Sequence, residues 1–432
     1  MMLMAQPVCA QAQEQEQTGR PARPFRSLFG STGTSRPSLH ALDLTVSLNG
    51  ATDNGLAAPA PEGSFQQSGF QQLYSAAALL SYTMSGRRFS VDARGSANVP
   101  RYTGSPDQLS TLGYSGNAAL SFTSGATSAR AFGSYTYSPY YYVEALGPTA
   151  ALGPSPPPFD YASERSPNDQ TAAGASFTRR FGRRTSASLT YDFNGTWFEN
   201  DDRSNRSQDV RISADRQLSR RLTVRGSYAY RNGEYVTAAT PTTNTAHDID
   251  LGVGYNRTLP RGQAATIDLS LGSSNVNDGL TRRLIWRGSA LASRTLSGGW
   301  SVGAGISRTL QFDNVVQQPV VADVANADVS GRFGRRVTLS FAGTYSNGQG
   351  QAEGSQRFSI YSGSARAQFG LASFAAIDVQ YTYYHYDFPP GYQLPEGVPV
   401  RMNRQRLQIG ASFWLPLVRA GGAGTSPSSV IQ

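Results

Sequence analysis

Lysine is absent from this sequence: all 38 basic residues are arginines, against 29 acids, for a formal net charge of +9. A GC-rich coding sequence produces that bias, and so does contact with an anionic surface or ligand. The arginines are spread along the whole chain rather than gathered into one basic patch, which argues against nucleic acid as a partner. Cysteine is nearly absent too. Cys9 is the only one, so no disulfide framework is possible. The three histidines (His40, His247 and His385) lack the spacing of a metal site. Long apolar runs are missing as well. The nearest is Tyr74–Tyr82, far short of the roughly 20 residues a spanning helix needs. With mean hydropathy at −0.38, a polytopic helical membrane protein is excluded.

What is present is glycine, at 45 residues, with 22 tyrosines and 20 phenylalanines in a chain only 16% charged. That mixture suits short-turned β structure. The phrase TRRFGRRTSASLTYDF (178–193) returns almost unchanged as SGRFGRRVTLSFAGTY (330–345). It belongs to a longer series of compact turn signals. Met84, Thr123, Phe181, Leu218, Leu259, Leu296, Phe333 and Phe369 lead into them, at spacings of 39, 58, 37, 41, 37, 37 and 36. A period near 37 admits a repeat array, and the residues between the turns decide against it. Thr185, Ala187, Leu189, Tyr191, Phe193, Gly195 and Trp197 alternate with Ser186, Ser188, Thr190, Asp192, Asn194 and Thr196. Strict alternation over that length exceeds a soluble strand's usual five or so residues and matches a tilted strand crossing a bilayer. Propeller and solenoid strands are shorter. Backbone groups in lipid must all be paired, so such a sheet has to close.

The expected fold is all-β: a closed antiparallel transmembrane β-barrel over residues 39–417. Eight tight turns alternate with nine longer polar connections, which predicts eighteen strands with both termini on the tight-turn side. Ala325–Phe333 is a short strand in this reading and leaves sixteen open. Arg308 falls on the apolar face of Trp300, Val302 and Ile306, predicting a bulge or register shift there. Residues 1–12 end in Ala10-Gln11-Ala12, a small-x-small pattern that reads as a signal-peptide remnant. Residues 13–38 read as a disordered periplasmic leader and 418–432 as a flexible tail.

At this point the chain resembles a Gram-negative outer-membrane β-barrel in the general style of porins. The final strand, QIGASFWL, is similar to that family's assembly signal at Gln408, Gly410, Phe413 and Leu415. The resemblance implies short periplasmic turns and long external loops. It also implies outer-membrane lipid, lipopolysaccharide and the barrel-assembly machinery as partners, and small polar solutes as cargo. Aromatics near the strand ends fit a lipid–water girdle: Phe181, Trp300, Phe333, Phe369 and Trp414 on one side, Trp197, Phe198, Phe312, Tyr345 and Tyr383 on the other. Arg179, Arg216, Arg257 and Arg294 sit where long side chains reach phosphates.

Inward positions carry charges of both signs: Asp192, Asp209, Arg211, Asp215, Arg225, Arg231, Asp248, Asp250, Asp268, Arg287, Asp328, Arg332, Arg366, Asp378 and Arg406. Such a lining serves either as a structural network or as a selectivity-setting channel wall, and the two are compatible. The longest connection, 139–169, matches by position and length the porin loop that narrows the barrel. It would bring Glu144, Asp160, Glu164 and Arg165 to a constriction; a surface loop is the alternative. The Asp53-Asn54-Gly55 and Asn277-Asp278-Gly279 triplets read as turn-formers. His247-Asp248 and His385 near Asp387 are the only candidates for hydrolytic pairs, and no nucleophile pattern accompanies them. No enzyme activity, cofactor or metal is expected. Two functions remain: a diffusion pore, or a non-conducting barrel that assists export, for example of surface polysaccharide.

Overall fold

In a computed structural model, residues 40–54, 71–102, 112–139, 167–199, 204–236, 241–259, 263–277, 281–313, 318–350, 356–389 and 400–420 are described. They form eighteen antiparallel strands. In chain order these are β1 (His40–Asp53), β2 (Gln71–Ser85), β3 (Phe89–Tyr102), β4 (Gly113–Ser124), β5 (Thr127–Ser138) and β6 (Asn168–Phe181). There follow β7 (Thr185–Phe198), β8 (Ser204–Gln217), β9 (Leu222–Val236), β10 (Pro241–Thr258), β11 (Ala264–Asn277) and β12 (Arg282–Thr295). The chain ends with β13 (Ser301–Asp313), β14 (Gln318–Phe333), β15 (Val337–Gly350), β16 (Arg357–Ala372), β17 (Ala375–Asp387) and β18 (Arg401–Ala420). Each strand pairs with its sequence neighbours, and β1 pairs with β18 from His40–Ala420 to Asp53–Arg406, so the sheet closes on itself. Closure removes both sheet edges, which an apolar environment requires.

The repeated phrase is a repeated hairpin. Gly182 (φ 75°) and Gly334 (φ 67°) take the left-handed conformation that tight turns demand and that a Cβ disfavours. After each turn the period-two alternation sends apolar side chains outward. Leu48, Leu120, Leu189, Ile212, Leu251, Leu269, Leu271, Ile306, Phe341 and Ile409 are all exposed on the outer face. Leu251 and Leu271 are directly paired there, each 66% exposed. A fold that left such a belt in water would forfeit about 25 cal/mol for every Å² of it, so the belt is built for an apolar surround.

The inner face is lined by small hydroxyl side chains. Ser96–Ser115 (2.6 Å), Ser188–Ser213 (2.6 Å), Ser270–Ser289 (2.7 Å), Ser301–Ser330 (2.8 Å) and Ser47–Ser412 (3.0 Å) are hydrogen-bonded across strand pairs.

Several local expectations are corrected. The last tight turn falls at Ser373–Phe374, after a register shift at Gly370–Ala372, and not at Gly370-Leu371. β14 is not short: it begins at Gln318, within what reads as a polar connection. Trp414 is no girdle residue, since it lies buried on the inner face opposite Thr45 with the Arg419 guanidinium 5.5 Å from its ring centroid. Phe181 and Phe333 are exposed at the turn side, as a girdle requires. Residues 1–39 and 421–432 lie outside the described residues.

Candidate functional site

The inward charges are not scattered evenly. Asp192 (β7), Asp209, Arg211 and Asp215 (β8), Arg225 and Arg231 (β9), Asp248 and Asp250 (β10), Asp268 (β11) and Arg287 (β12) occupy one contiguous sector of wall. Antiparallel pairing sets Asp209 opposite Arg231 and Asp215 opposite Arg225, so alternation alone brings opposite charges face to face. Arg231 Nε lies 2.9 Å from Asp209 and 2.8 Å from Asp248. Arg287 pairs with Asp248 and reaches Asp250 at 3.5 Å, while Arg211 bridges Asp209 (3.7 Å) and Asp250 (4.0 Å). Nearer the turns, Arg225 spans Asp215 (2.8 Å) and Asp268 (3.4 Å). Ser274 donates a hydrogen bond to Asp248. Asp192 faces Asp209 and forms no ion pair among the described residues.

Among the described residues, a strand pair, β13–β14, narrows the lumen toward the loop end. β12 and β13 pair only from Thr295–Ser301 to Gly288–Arg308. Beyond that rung β13 leaves the wall while staying paired with β14, which stays paired with β15. Both Thr309 and Leu310 are buried although they are consecutive, because this stretch has wall on two sides. Leu310 and Val321 pack on the inward residues Ala246, Val276 and Ile285. On the other face Val320, Ala322 and Val324 pack with Phe358, Ile360, Tyr384, Tyr386, Phe388 and Met402, and Phe198 of β7 joins that cluster. Arg231 Nη1 donates to the Leu310 carbonyl at 2.9 Å, meeting an acceptor that β12 does not. Gly233 makes room for the hairpin: a Cβ there would lie 2.4 Å from Phe312 Cδ1.

Against known proteins, no family model and no curated protein matches the chain. Among solved structures it is similar to Acinetobacter baumannii OccAB4, at 10% identity and a TM-score of 0.46 over 87% of this chain and 98% of that one. It is also similar to Pseudomonas aeruginosa OpdQ (12%, TM-score 0.45, 88% and 98%). A third is a BenF-like porin from Pseudomonas fluorescens (12%, TM-score 0.44, 88% and 99%). At these values the likeness is one of broad shape, and the barrel stands on its own strand pairing.

Asp328, Arg366, Asp378 and Arg406 are also inward, but on β14, β16, β17 and β18, away from the charged sector. Gly410 is inward too. A Cβ there would sit 2.1 Å from Asn49 Oδ1 and 3.2 Å from Asp378 Oδ1, so the glycine has a packing reason besides its place in the terminal pattern. Gln408 is buried, whereas Phe413 and Leu415 are exposed on the outer face. Glu144, Asp160, Glu164 and Arg165 lie outside the described residues.

Arg308 does face outward, but without a register shift. It occupies the last β12–β13 rung, neutralised by Asp323 at 3.3 Å, with both side chains half exposed. Phe312 and Phe198, expected in the loop-side girdle, point into the lumen instead. Asp53 is no mere turn-former. It is buried and accepts from Arg404 Nε (2.8 Å) and Nη2 (2.6 Å). His247 and Asp248 sit on opposite faces of one strand: His247 bonds Tyr228 outside (2.8 Å), Asp248 the arginines inside. They do not form a pair.

Proposed function

We propose that this chain is a pore in the outer membrane of a Gram-negative bacterium, for passive diffusion of small polar solutes. The apolar outer belt supports the membrane setting, with lipid and lipopolysaccharide against it and the assembly machinery reading the last strand. One observation carries the pore itself. Arg211, Arg225, Asp209, Asp250 and Asp268 keep 18–23% of their side-chain surface exposed on the inner wall. Water therefore reaches fixed charges of both signs along the sector from β8 to β11. Such charges cost too much in a dry interior and, when hydrated, set the local ion concentration.

A second reading, an export-accessory barrel that does not conduct, is favoured by the β13–β14 hairpin filling part of the loop-side lumen. Current across planar bilayers containing the purified barrel decides between them. Stepwise conductance with a linear dependence on salt supports the pore. A correctly folded barrel that never conducts moves the assignment to the accessory role.

A further inference from the structure

We infer that the outer wall of β10–β13 holds one anionic phospholipid, with its phosphate between Arg257 and Arg294 and one acyl chain in a cavity beside Ala290 and Ile306. The inference rests on the membrane setting and not on conduction.

Arg257 of β10 and Arg294 of β12 both pair with Ala265 of β11, one from each side. Two outward arginines therefore share one rung, with only a methyl group between them. Two strand spacings set their backbones about 10 Å apart, a gap that two long side chains can close on one anion. Both are exposed, and neither forms an ion pair among the described residues. The acids of these strands do not serve them: Asp248, Asp250 and Asp268 face the lumen, held by Arg231, Arg287, Arg211 and Arg225. Arg221 adds a third exposed positive charge, its carbonyl accepting from the Asn256 amide beside Arg257 at 2.8 Å. Like charges this close repel one another. A phosphate relieves that, because its oxygens accept from several guanidinium N–H groups at once. The other outward arginines of the turn-side row stand singly. Arg179 lies between Thr127 and Ala187, its guanidinium 5.7 Å from the Phe181 ring centroid, and Arg216 lies between Thr185 and Val224.

Room for the tail lies at a matching depth. Beyond Arg294, β12 presents Ala292, Ala290 and Gly288 outward, beside Ala304, Ile306 and Arg308 of β13. A cavity of about 420 Å³ opens here on the outer face, lined by Ala290, Ile306, Arg308, Asp323, Ala325 and Tyr345. Ala290 and Gly288 lie about 13–20 Å along the strand from Arg294. Strand tilt turns that into about 10–15 Å of depth. The tails of one leaflet span about 15 Å. Ile267 and Leu269 of β11, exposed and opposite Ala292 and Ala290, wall the path on its other side. An unfilled cavity would leave its lining without contact partners, so a chain is favoured there. Any lipid can supply the chain, and the head group decides which one stays. Three uncompensated arginines repel the cationic end of a zwitterionic head group and favour one whose net charge is negative.

Native mass spectrometry of the purified barrel, in mild detergent with equal amounts of phosphatidylglycerol and phosphatidylcholine, tests the site. One phosphatidylglycerol is expected to stay bound, in several-fold preference to phosphatidylcholine. Arg257→Gln with Arg294→Gln should abolish that preference. Arg179→Gln with Arg216→Gln, which removes as much outward charge, should keep it. Ala290→Trp, which fills the cavity, should lower retention of phosphatidylglycerol several-fold. Heat-modifiable migration verifies that each variant folds. Equal loss from the two arginine pairs would reveal diffuse attraction to the rim and overturn the site, as would equal retention of both lipids by the unaltered barrel. Undiminished retention in Ala290→Trp would overturn the placement of the chain, and the proposal with it. No step reads current, so the site stands or falls independently of whether the barrel conducts.

Discussion

Arg404 of the last strand holds Asp53 of the first through a two-pronged, buried ion pair, 351 residues apart in sequence and adjacent across the closing seam. Asn54 Oδ1 accepts from the Gln405 amide beside it (2.6 Å), so the seam's loop end is tied by side chains as well as by the ladder. Replacing one partner alone, Asp53→Leu or Arg404→Leu, leaves a buried charge uncompensated. Each single change should cost about 3–5 kcal/mol, with the double replacement milder than either. Urea titration of the heat-modifiable band reads this directly, and additive losses would show that the pair is not coupled.

Outward and inward substitutions should differ sharply. Tyr191→Arg and Leu269→Arg, on the exposed apolar face, should destabilise by about 2–4 kcal/mol near the midplane. Ser188→Arg, on the inner face where Ser188 meets Ser213, should fold normally. Folding yield into liposomes separates the cases, and equal yields for all three would invert the face assignment.

At the turns the cost should be conformational alone. Gly182 sits at φ 75° with nothing near a would-be Cβ, so Gly182→Val meets no clash. Forcing a β-branched residue into the left-handed region should still cost about 1–2 kcal/mol, and Gly182→Asn much less. Thermal unfolding of the two variants checks the ranking.

Selectivity should follow the charged sector. Asp250→Asn and Asp268→Asn remove negative charge that water reaches, leaving Arg211 and Arg225 in excess. Reversal potentials under a salt gradient should shift toward anion preference. No shift would mean that solutes do not pass along β8–β11.

The strands, their faces and the inner charges were legible in the sequence because two environments alternate at every residue, and period two records that. Thr309–Phe312 defeats the same logic. Leu310 and Phe312 keep the phase of a lipid-facing stretch, yet they lie on an apolar patch inside the lumen. Hydrophobicity reports dryness and cannot say which dry place. Trp414 was misread for the same reason. The Asp53–Arg404 pair was hidden differently, because an Asp-Asn-Gly triplet speaks for a turn, while its distant partner is set only by ring closure.

The serine pairs carry a consequence for anything that travels through this barrel. Ser96 with Ser115, Ser188 with Ser213 and Ser270 with Ser289 are already bonded to each other. Each such bond uses one donor and one acceptor, so every pair keeps one O–H and three lone-pair sites for water or a passing molecule. Those stretches of wall are neutral and meet a polar traveller with weak, readily exchanged hydrogen bonds, whereas the arginines and aspartates meet it with fixed charge.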